Sequence, residues 1–428
     1  MTLKATLHEI DALLEQGACE DALRRCDALL DVNAQNIAVW TRRGAALLAL
    51  DRAKDARRAF NKALNEDPTS GAAWNGLGKS FFDLGDLSAA IDAFGHAAAI
   101  FDTLGPGAEA ANESASARYH QSMALLATGD FAAGWPAHEA RLGVTRMGFQ
   151  GPTPPLWTGQ PLAGKRLLVL FEQGYGDMIQ FARYLPRLRS LDCKLVVSMP
   201  ADLIPLLSPL APNATFITME EGRSNTVDAD FSVWLMSLPN RLGAQTISDI
   251  PAEIPYIAPP AGTPIEAPLN EAFPQSNDLS IGLVWAGRPS HPQDHQRSID
   301  SRLLAPLFDI PGVRFYGLQK EGAPDITLTS RFAHDWSNAL TSFSATAAIL
   351  ARLDLIITVD TAVAHLAGAM GRPVWLMLPF AADWRWLRDR DDSPWYPTMR
   401  LFRQNRPGDW HPVIDVIGKA LTELSAPS

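Results

Sequence analysis

A chain of 428 residues with a formal net charge of −10 and 47% hydrophobic residues has room for two or three domains with ordinary cores. The acidic balance excludes a dedicated nucleic-acid binder, whose phosphate contacts need a concentrated basic face. No apolar run approaches the ~20 residues needed to span a bilayer. The polar stretch from Met1 to Leu14 lacks a signal-peptide core, so the expected location is cytoplasmic. Cys19, Cys26 and Cys193 are few, odd in number and unpatterned. On one helix the first two would stand about 10 Å apart, too far for a bridge, which predicts three reduced and mostly buried thiols.

The first third repeats. Trp40, Gly44, Ala56 and Phe60 return 34 residues later as Trp74, Gly78, Ala90 and Phe94, with Pro68 closing the earlier unit. That period and pattern are the tetratricopeptide signature, a stack of helix pairs. An earlier, degenerate unit keeps Ala22 but has Thr6 at the Trp position and Cys26 at the Phe position, as an N-terminal cap would. Gly85-Asp86-Leu87 reappears as Gly129-Asp130-Phe131, a shift of 44 residues, and the ten additional residues are expected in a loop from Gly105 to Ser114. Such an array either binds a partner on its concave face or braces the neighbouring domains; binding is expected, because those domains do not need a solenoid to fold.

The Pro/Gly stretch from Gly151 to Gly164 reads as a connection. After it, the apolar run Leu167 to Phe171 predicts a strand. It ends in Glu172-Gln173-Gly174-Tyr175-Gly176-Asp177 and is followed by a helix with Met178, Ile179, Phe181, Ala182 and Leu185 as its apolar stripe. The turn fails the dinucleotide fingerprint, since Ile179 stands where a third glycine is needed and Val196 to Met199 runs into Pro200 and not an acidic residue. Seven prolines between Pro251 and Pro274 mark a linker.

A second α/β half is expected from the strand Ile281 to Trp285 onward. The loop Ala286 to Ser298 brings Arg288, His291, His295 and Arg297. The two histidines have the spacing of a zinc helix, but Pro292 between them speaks against one. Gln319 and Lys320 end a strand from Val313 to Leu318 and are placed to meet a base or ribose. The strand Leu355 to Val359 is followed by Asp360-Thr361 and a small-residue helix from Ala362 to Met370. The first N–H groups of such a helix lack intrahelical partners and carry partial positive charge, a ready site for phosphate. His365 falls one turn in. Trp384, Arg385, Trp386, Trp395 and Tyr396 suit sugar stacking, or else fasten the last elements to their domain. Asp389-Arg390-Asp391 reads as a solvated loop. A closing helix spans Val413 to Leu424.

Taken in order, EQGYGDMIQFARYLP, IGLVWAGRPSH with RSI nearby, GLQK and DTAVAHLAGAMGRPVW resemble bacterial glycosyltransferases of the ADP-heptose:lipopolysaccharide heptosyltransferase superfamily. GDFAAGW and DWRWLRDRDDSPWYPTMRLFRQ are similar to its tetratricopeptide-repeat branch. The resemblance covers nearly the whole chain. It implies a GT-B architecture, two facing Rossmann-like domains, with residues 1–150 as the solenoid, 165–265 as the acceptor-side domain and 275–428 as the nucleotide-sugar domain. By the same resemblance the closing helix would return to pack beneath the first half.

The resemblance further implies inverting transfer from a nucleotide sugar, without a metal or other cofactor. Asp177 matches the family's catalytic base in a Gly-x-Gly-Asp context whose glycines are Gly174 and Gly176; its alternative role is an N-cap. Glu172 is the reserve base. Thr361 and the N–H groups from Ala362 onward would hold the distal phosphate, with Asp360 capping the turn and His365 donating to phosphate or sugar. Arg297 matches a cationic phosphate contact, and Arg288 is carried more weakly. The expected partners are a nucleotide sugar and a protein acceptor recruited by the repeats, with flagellin a candidate because related bacterial proteins accompany flagellar glycosylation. The alternatives are a non-catalytic sugar-nucleotide-binding scaffold and a nucleotide-sugar epimerase, since fold alone does not select a function.

Overall fold

The computed structural model describes residues 2–105, 107–144, 154–223, 227–263, 273, 276–291, 293–320, 328 and 330–426. The start of the Pro/Gly connection at 151–153, the linker stretches 264–272 and 274–275, and Pro292 lie outside the described residues. The chain divides into two compact units, Met1–Gln150 with Asp383–Arg388, and Gly151–Ala382 with Asp389–Ser428.

The first unit is helical: α1 (Leu3–Glu15), α2 (Cys19–Val32), α3 (Ile37–Ala49), α4 (Ala53–Glu66), α5 (Gly71–Asp83), α6 (Leu87–Thr103), α7 (Ala108–Thr128) and α8 (Phe131–His138). The repeat signature has a direct physical cause. A Cβ at Gly44 would lie 2.5 Å from the Phe60 ring, and one at Gly78 would lie 2.6 Å from the Phe94 ring, so only glycine lets each helix pair close on its phenylalanine. Trp40 donates its indole N–H to the Ala34 carbonyl at 2.7 Å, and Trp74 donates to Pro68 at 2.9 Å, the same contact one repeat later. In the degenerate first unit Ala22 and Cys26 are fully buried. Burial pushes the Cys26 thiol up to about 11, while Cys19 and Cys193 are half-buried, and all three are free.

The expected loop from Gly105 to Ser114 is mostly helix. Here α6 has 17 residues against 14 in α4, and α7 has 21 against 13 in α5, so the additional residues lengthen two helices. Ala-Glu-Ala-Ala is strongly helix-forming. The extended ends are tied together by Asp102, which accepts from the Ser114 hydroxyl at 2.7 Å and from Arg118 at 2.6 Å.

The segment Asp383–Arg388 groups with this unit. Trp384 meets Trp135 edge-on with ring centres 5.4 Å apart, Arg385 lies 4.5 Å over the Trp384 ring, and both Trp384 and Trp386 are buried. These three residues fasten the fold and do not form a sugar-stacking wall. His138 beside them is held well below the usual histidine range, by burial first and then by the charges of Arg141 and Arg385.

The second unit contains two parallel sheets. The first has the order β3-β2-β1-β4, with β1 (Arg166–Leu170), β2 (Lys194–Met199), β3 (Thr215–Thr218) and β4 (Phe231–Trp234). The second has the order β10-β9-β8-β5-β6-β7, with β5 (Leu279–Val284), β6 (Val313–Gly317), β7 (His334–Asp335), β8 (Leu355–Val359), β9 (Val374–Leu378) and β10 (Met399–Arg403). The central strands are continuous apolar runs because both of their faces are covered; every residue of β8 is buried. Between the strands run α9 (Tyr175–Phe181), α10 (Phe343–Leu350) and α11 (Ala362–Ala369), and α12 (His411–Leu424) closes the chain. The apolar stripe foreseen from Met178 to Leu185 is buried throughout, although the helix becomes 3-10 from Ala182 to Leu191, where Pro186 sits.

The closing helix does not pack beneath the first half. Val413, Ile414, Ile417 and Leu421 join Ile281, Leu283, Leu304 and Phe315 in the core of the six-stranded sheet. Its apolar face finds the nearest uncovered sheet surface, that of its own half.

Candidate active site

In open parallel sheets ligands gather where strand order reverses, at the carboxyl ends of the strands. In the six-stranded sheet the reversal lies between β5 and β8, and in the four-stranded sheet between β1 and β4. All but two of the expected site residues follow one of these strands; Gln319 and Lys320 follow β6 instead.

After β8 the chain turns through Asp360-Thr361 into α11. Thr361 is extended and makes no side-chain cap; its hydroxyl lies 3.3 Å from that of Thr358. The positive end of the helix is thus left uncovered by its own N-cap side chain, as an anion site requires. The loop after β5 packs on the same turn. Arg297 donates to the Asp360 carbonyl at 2.9 Å and to the Asp294 carboxylate at 3.0 Å, which brings a guanidinium to the mouth of α11. Asp294 also accepts from Ser298, and the Ser298 hydroxyl accepts from the Gly287 N–H, so the loop is braced internally.

Arg288 and Lys320 are exposed. His295 lies on a single helical turn, Asp294–Arg297, while His291 precedes it and accepts from the Gln293 N–H. No group of three or more His, Cys, Asp or Glu placed to hold a metal ion occurs among the described residues. Gln319 departs from expectation. Its amide oxygen accepts from the Trp285 and Ala286 N–H groups at 3.1 and 3.0 Å, and its amide nitrogen donates to the Ala286 carbonyl at 3.0 Å. A side chain bonded in this way holds the loop in place.

After β1, Glu172 is buried and accepts from the Met236 N–H at 3.1 Å, joining the ends of β1 and β4 across the reversal. This is the turn-orienting role. Asp177 accepts from the Gly174 N–H at 2.8 Å and so does cap the turn. A carboxylate has two oxygens and about four acceptor sites, so this bond leaves it the capacity to act as a base.

The two turns meet. A Cβ at Gly176 would lie 2.8 Å from Cδ2 and 3.4 Å from Nε2 of His365, and 3.6 Å from Cα of Ala362. Only a glycine lets the start of α9 approach the start of α11 so closely. His365 is buried; its Nδ1 lies 2.9 Å from the Tyr396 hydroxyl and its Nε2 3.9 Å from the Asp360 carboxylate.

Behind this seam lies a cation that sequence reasoning did not single out. Arg183 is buried and donates to the carbonyls of Gln180, Pro251 and Trp395 and to the Tyr256 hydroxyl, at 2.9, 3.1, 2.6 and 3.1 Å. Its guanidinium lies 4.7 Å over the Tyr396 ring and 4.8 Å over the Tyr256 ring. Burial, more than any other cause, holds the Tyr396 phenol well above the usual tyrosine range. The available signal was an arginine standing beside an otherwise apolar helix stripe, FARYL.

Residues 7–71 and 41–109 match the tetratricopeptide repeat family. Residues 338–375, which hold α10, β8, the Asp360-Thr361 turn and α11, match glycosyltransferase family 9 (heptosyltransferase). The chain is 25% identical over 452 aligned positions to Protein FlbA of Caulobacter vibrioides, covering 97% of this chain and 72% of that protein. Similar solved structures include the iron-containing dodecameric glycosyltransferase TibC from enterotoxigenic E. coli, at 15% identity and a TM-score of 0.39, covering 62% of this chain and 76% of that one. PcrH in complex with the chaperone-binding region of PopD matches at 20% identity and a TM-score of 0.26, over 28% of this chain and 90% of that one. The chain carries tetratricopeptide repeats and a glycosyltransferase family 9 (heptosyltransferase) segment, and the enzyme class that this segment supports is glycosyl transfer.

Proposed function

We propose that this protein moves a sugar from a nucleotide sugar to a protein hydroxyl, with inversion and without a metal. Residues 275–428 form the nucleotide-sugar half and residues 165–265 the acceptor side. Asp177 takes the acceptor proton while the acceptor oxygen forms its bond to the anomeric carbon, and the nucleoside diphosphate departs with the electron pair of the broken bond. The start of α11, from Thr361 and Ala362, together with Arg297 and His365, receives the charge of the leaving diphosphate. Arg288 and Lys320 stand on the same side of the sheet as exposed cations for the nucleotide.

The observation that carries this reading is the contact of Gly176 with His365 and Ala362, which sets the base-bearing turn against the anion-binding helix start. Proximity of base and leaving-group site is what a direct displacement requires. The repeats are assigned to recruitment of the acceptor, for which flagellin is the first protein to try.

The test is transfer by the purified protein from nucleotide sugars to flagellin, with the anomeric configuration of the product determined by NMR. Inversion, with turnover unchanged by EDTA, is expected. Retention of configuration would overturn the single-displacement reading, and activity lost to EDTA and restored by Mg²⁺ or Mn²⁺ would overturn the metal-independent one. Failure to modify flagellin while another protein is modified would overturn that acceptor alone.

A further inference from the structure

We propose that Tyr396 is a positioning residue that fixes which nitrogen of His365 carries the proton, so that an N–H is presented at the seam between the start of α9 and the start of α11. In its consequence for turnover the inference rests on the proposed transfer; in its structural content it does not.

A neutral imidazole has one donor and one acceptor nitrogen, and its neighbours choose between the two forms. On the Nδ1 side stands the Tyr396 hydroxyl at 2.9 Å. A phenol has a single proton to donate. Tyr256, close by, donates its own proton to the Ile179 carbonyl at 3.0 Å and so has none to give to Tyr396. Arg183 can only donate, and its charge over the Tyr396 ring makes the phenol a better donor. Two acceptors compete for the phenol proton, His365 Nδ1 and the Tyr256 oxygen, and an Nε2 proton drawn to the Asp360 carboxylate leaves on Nδ1 the lone pair that takes it. Burial, which holds Tyr396 in its protonated form, agrees.

The Nε2 side wants the opposite. The Asp360 carboxylate lies 3.9 Å away on that side and accepts only, which favours an N–H on Nε2. Nε2 also lies 3.4 Å from where a Cβ of Gly176 would be, at the contact between the two turns. A diphosphate oxygen at this seam would meet a donor in one tautomer and a lone pair in the other. The Tyr396 ring is itself held in place. A Cβ at Gly368 would lie 2.6 Å from it, and Arg183 covers it at 4.7 Å, anchored by the Pro251 and Trp395 carbonyls. Tyr396 acts through His365 and touches no reacting atom.

The experiment is a long-range 15N–1H spectrum of the histidine side chains in the full-length protein, with His365 assigned by comparison with His365→Gln. The expected wild-type state is a proton on Nε2. In Tyr396→Phe the His365 signals should move toward a mixture of both tautomers, while kcat for sugar transfer falls about 10- to 100-fold and the KM for the nucleotide sugar stays within about threefold. A wild-type proton on Nδ1 would overturn the assignment without any variant having to fold. So would an unchanged tautomer in a Tyr396→Phe protein that still melts cooperatively. Because the spectrum is read without turnover, a protein that binds no nucleotide sugar would count against the proposed reaction and leave the tautomer result to decide the role of Tyr396.

Discussion

Asp177 holds the turn that carries it, and a proposed base with a structural duty constrains its own test. Asparagine keeps the shape and one oxygen for the Gly174 N–H, so the fold should survive Asp177→Asn. Transfer should fall by about 10² to 10⁴, as general-base loss typically does, with nucleoside diphosphate affinity unchanged in a titration. Activity within a few-fold of wild type would move the role to another group. Gly176→Ala places a methyl against His365 and should lower the melting temperature, since overpacking of this kind costs about 1–3 kcal/mol. An unaltered melt would mean the seam is looser than described.

Burial first, and then the charge of Asp51, pushes the Asp83 carboxyl up to about 6, with Lys79 and Arg388 opposing. Its folded value lies above its unfolded one, so the folded state binds the proton more tightly and loses that advantage as pH rises through 6. The carboxylate therefore destabilises the repeat unit at neutral pH. Asp83→Asn should raise its stability at pH 7 by at most about 3 kcal/mol, less after solvent screening, and flatten the melting temperature between pH 4 and 6. An equal pH slope in both proteins would contradict this. Local residues such as Thr361 and Arg297 were legible in the sequence because a strand end and a helix start define their setting. Arg183 was not, because its carbonyl partner on Trp395 lies 212 residues away. Gln319 was placed correctly at a strand end, but no sequence pattern tells which way an amide points.

Among the elements, the repeats were the most legible, since period 34 reflects a glycine closing on a phenylalanine in two successive units. Gly78→Ala should therefore cost the repeat unit about 1–3 kcal/mol, read as a lower melting temperature, as the methyl meets the Phe94 ring. No loss of stability would show that the ring moves aside. What the sequence did not disclose was length and partner. Ten residues without the repeat pattern look like a loop, yet their alanines and two glutamates lie in the first turns of α7. The stripe of α12 was visible, but a stripe names a face and not the surface it covers, and here that surface is the core of its own sheet.

At the scale of the whole molecule, two helix-starting turns drawn from chain segments nearly 190 residues apart meet, and the same chain carries a repeat array. Deleting the repeats would remove the side chains that bury Trp384, so recruitment is better tested in the full chain. A folded protein acceptor and a short peptide bearing the same hydroxyl should show similar kcat but a much higher KM for the peptide, because tethering raises effective concentration without altering the chemistry. Equal KM values would make the repeats a brace. The central claim, that the start of α11 and Arg297 hold the diphosphate of a nucleotide sugar, is tested most directly by thermal shift of the wild type, Arg297→Ala and Thr361→Ala with a nucleoside, its diphosphate and its nucleotide sugar. At 100 times its dissociation constant a ligand adds about 2.7 kcal/mol of stability. Diphosphate and nucleotide sugar should stabilise the wild type more than the nucleoside does, and both substitutions should reduce that difference. No shift with any nucleotide, or equal losses for nucleoside and diphosphate, would contradict the account.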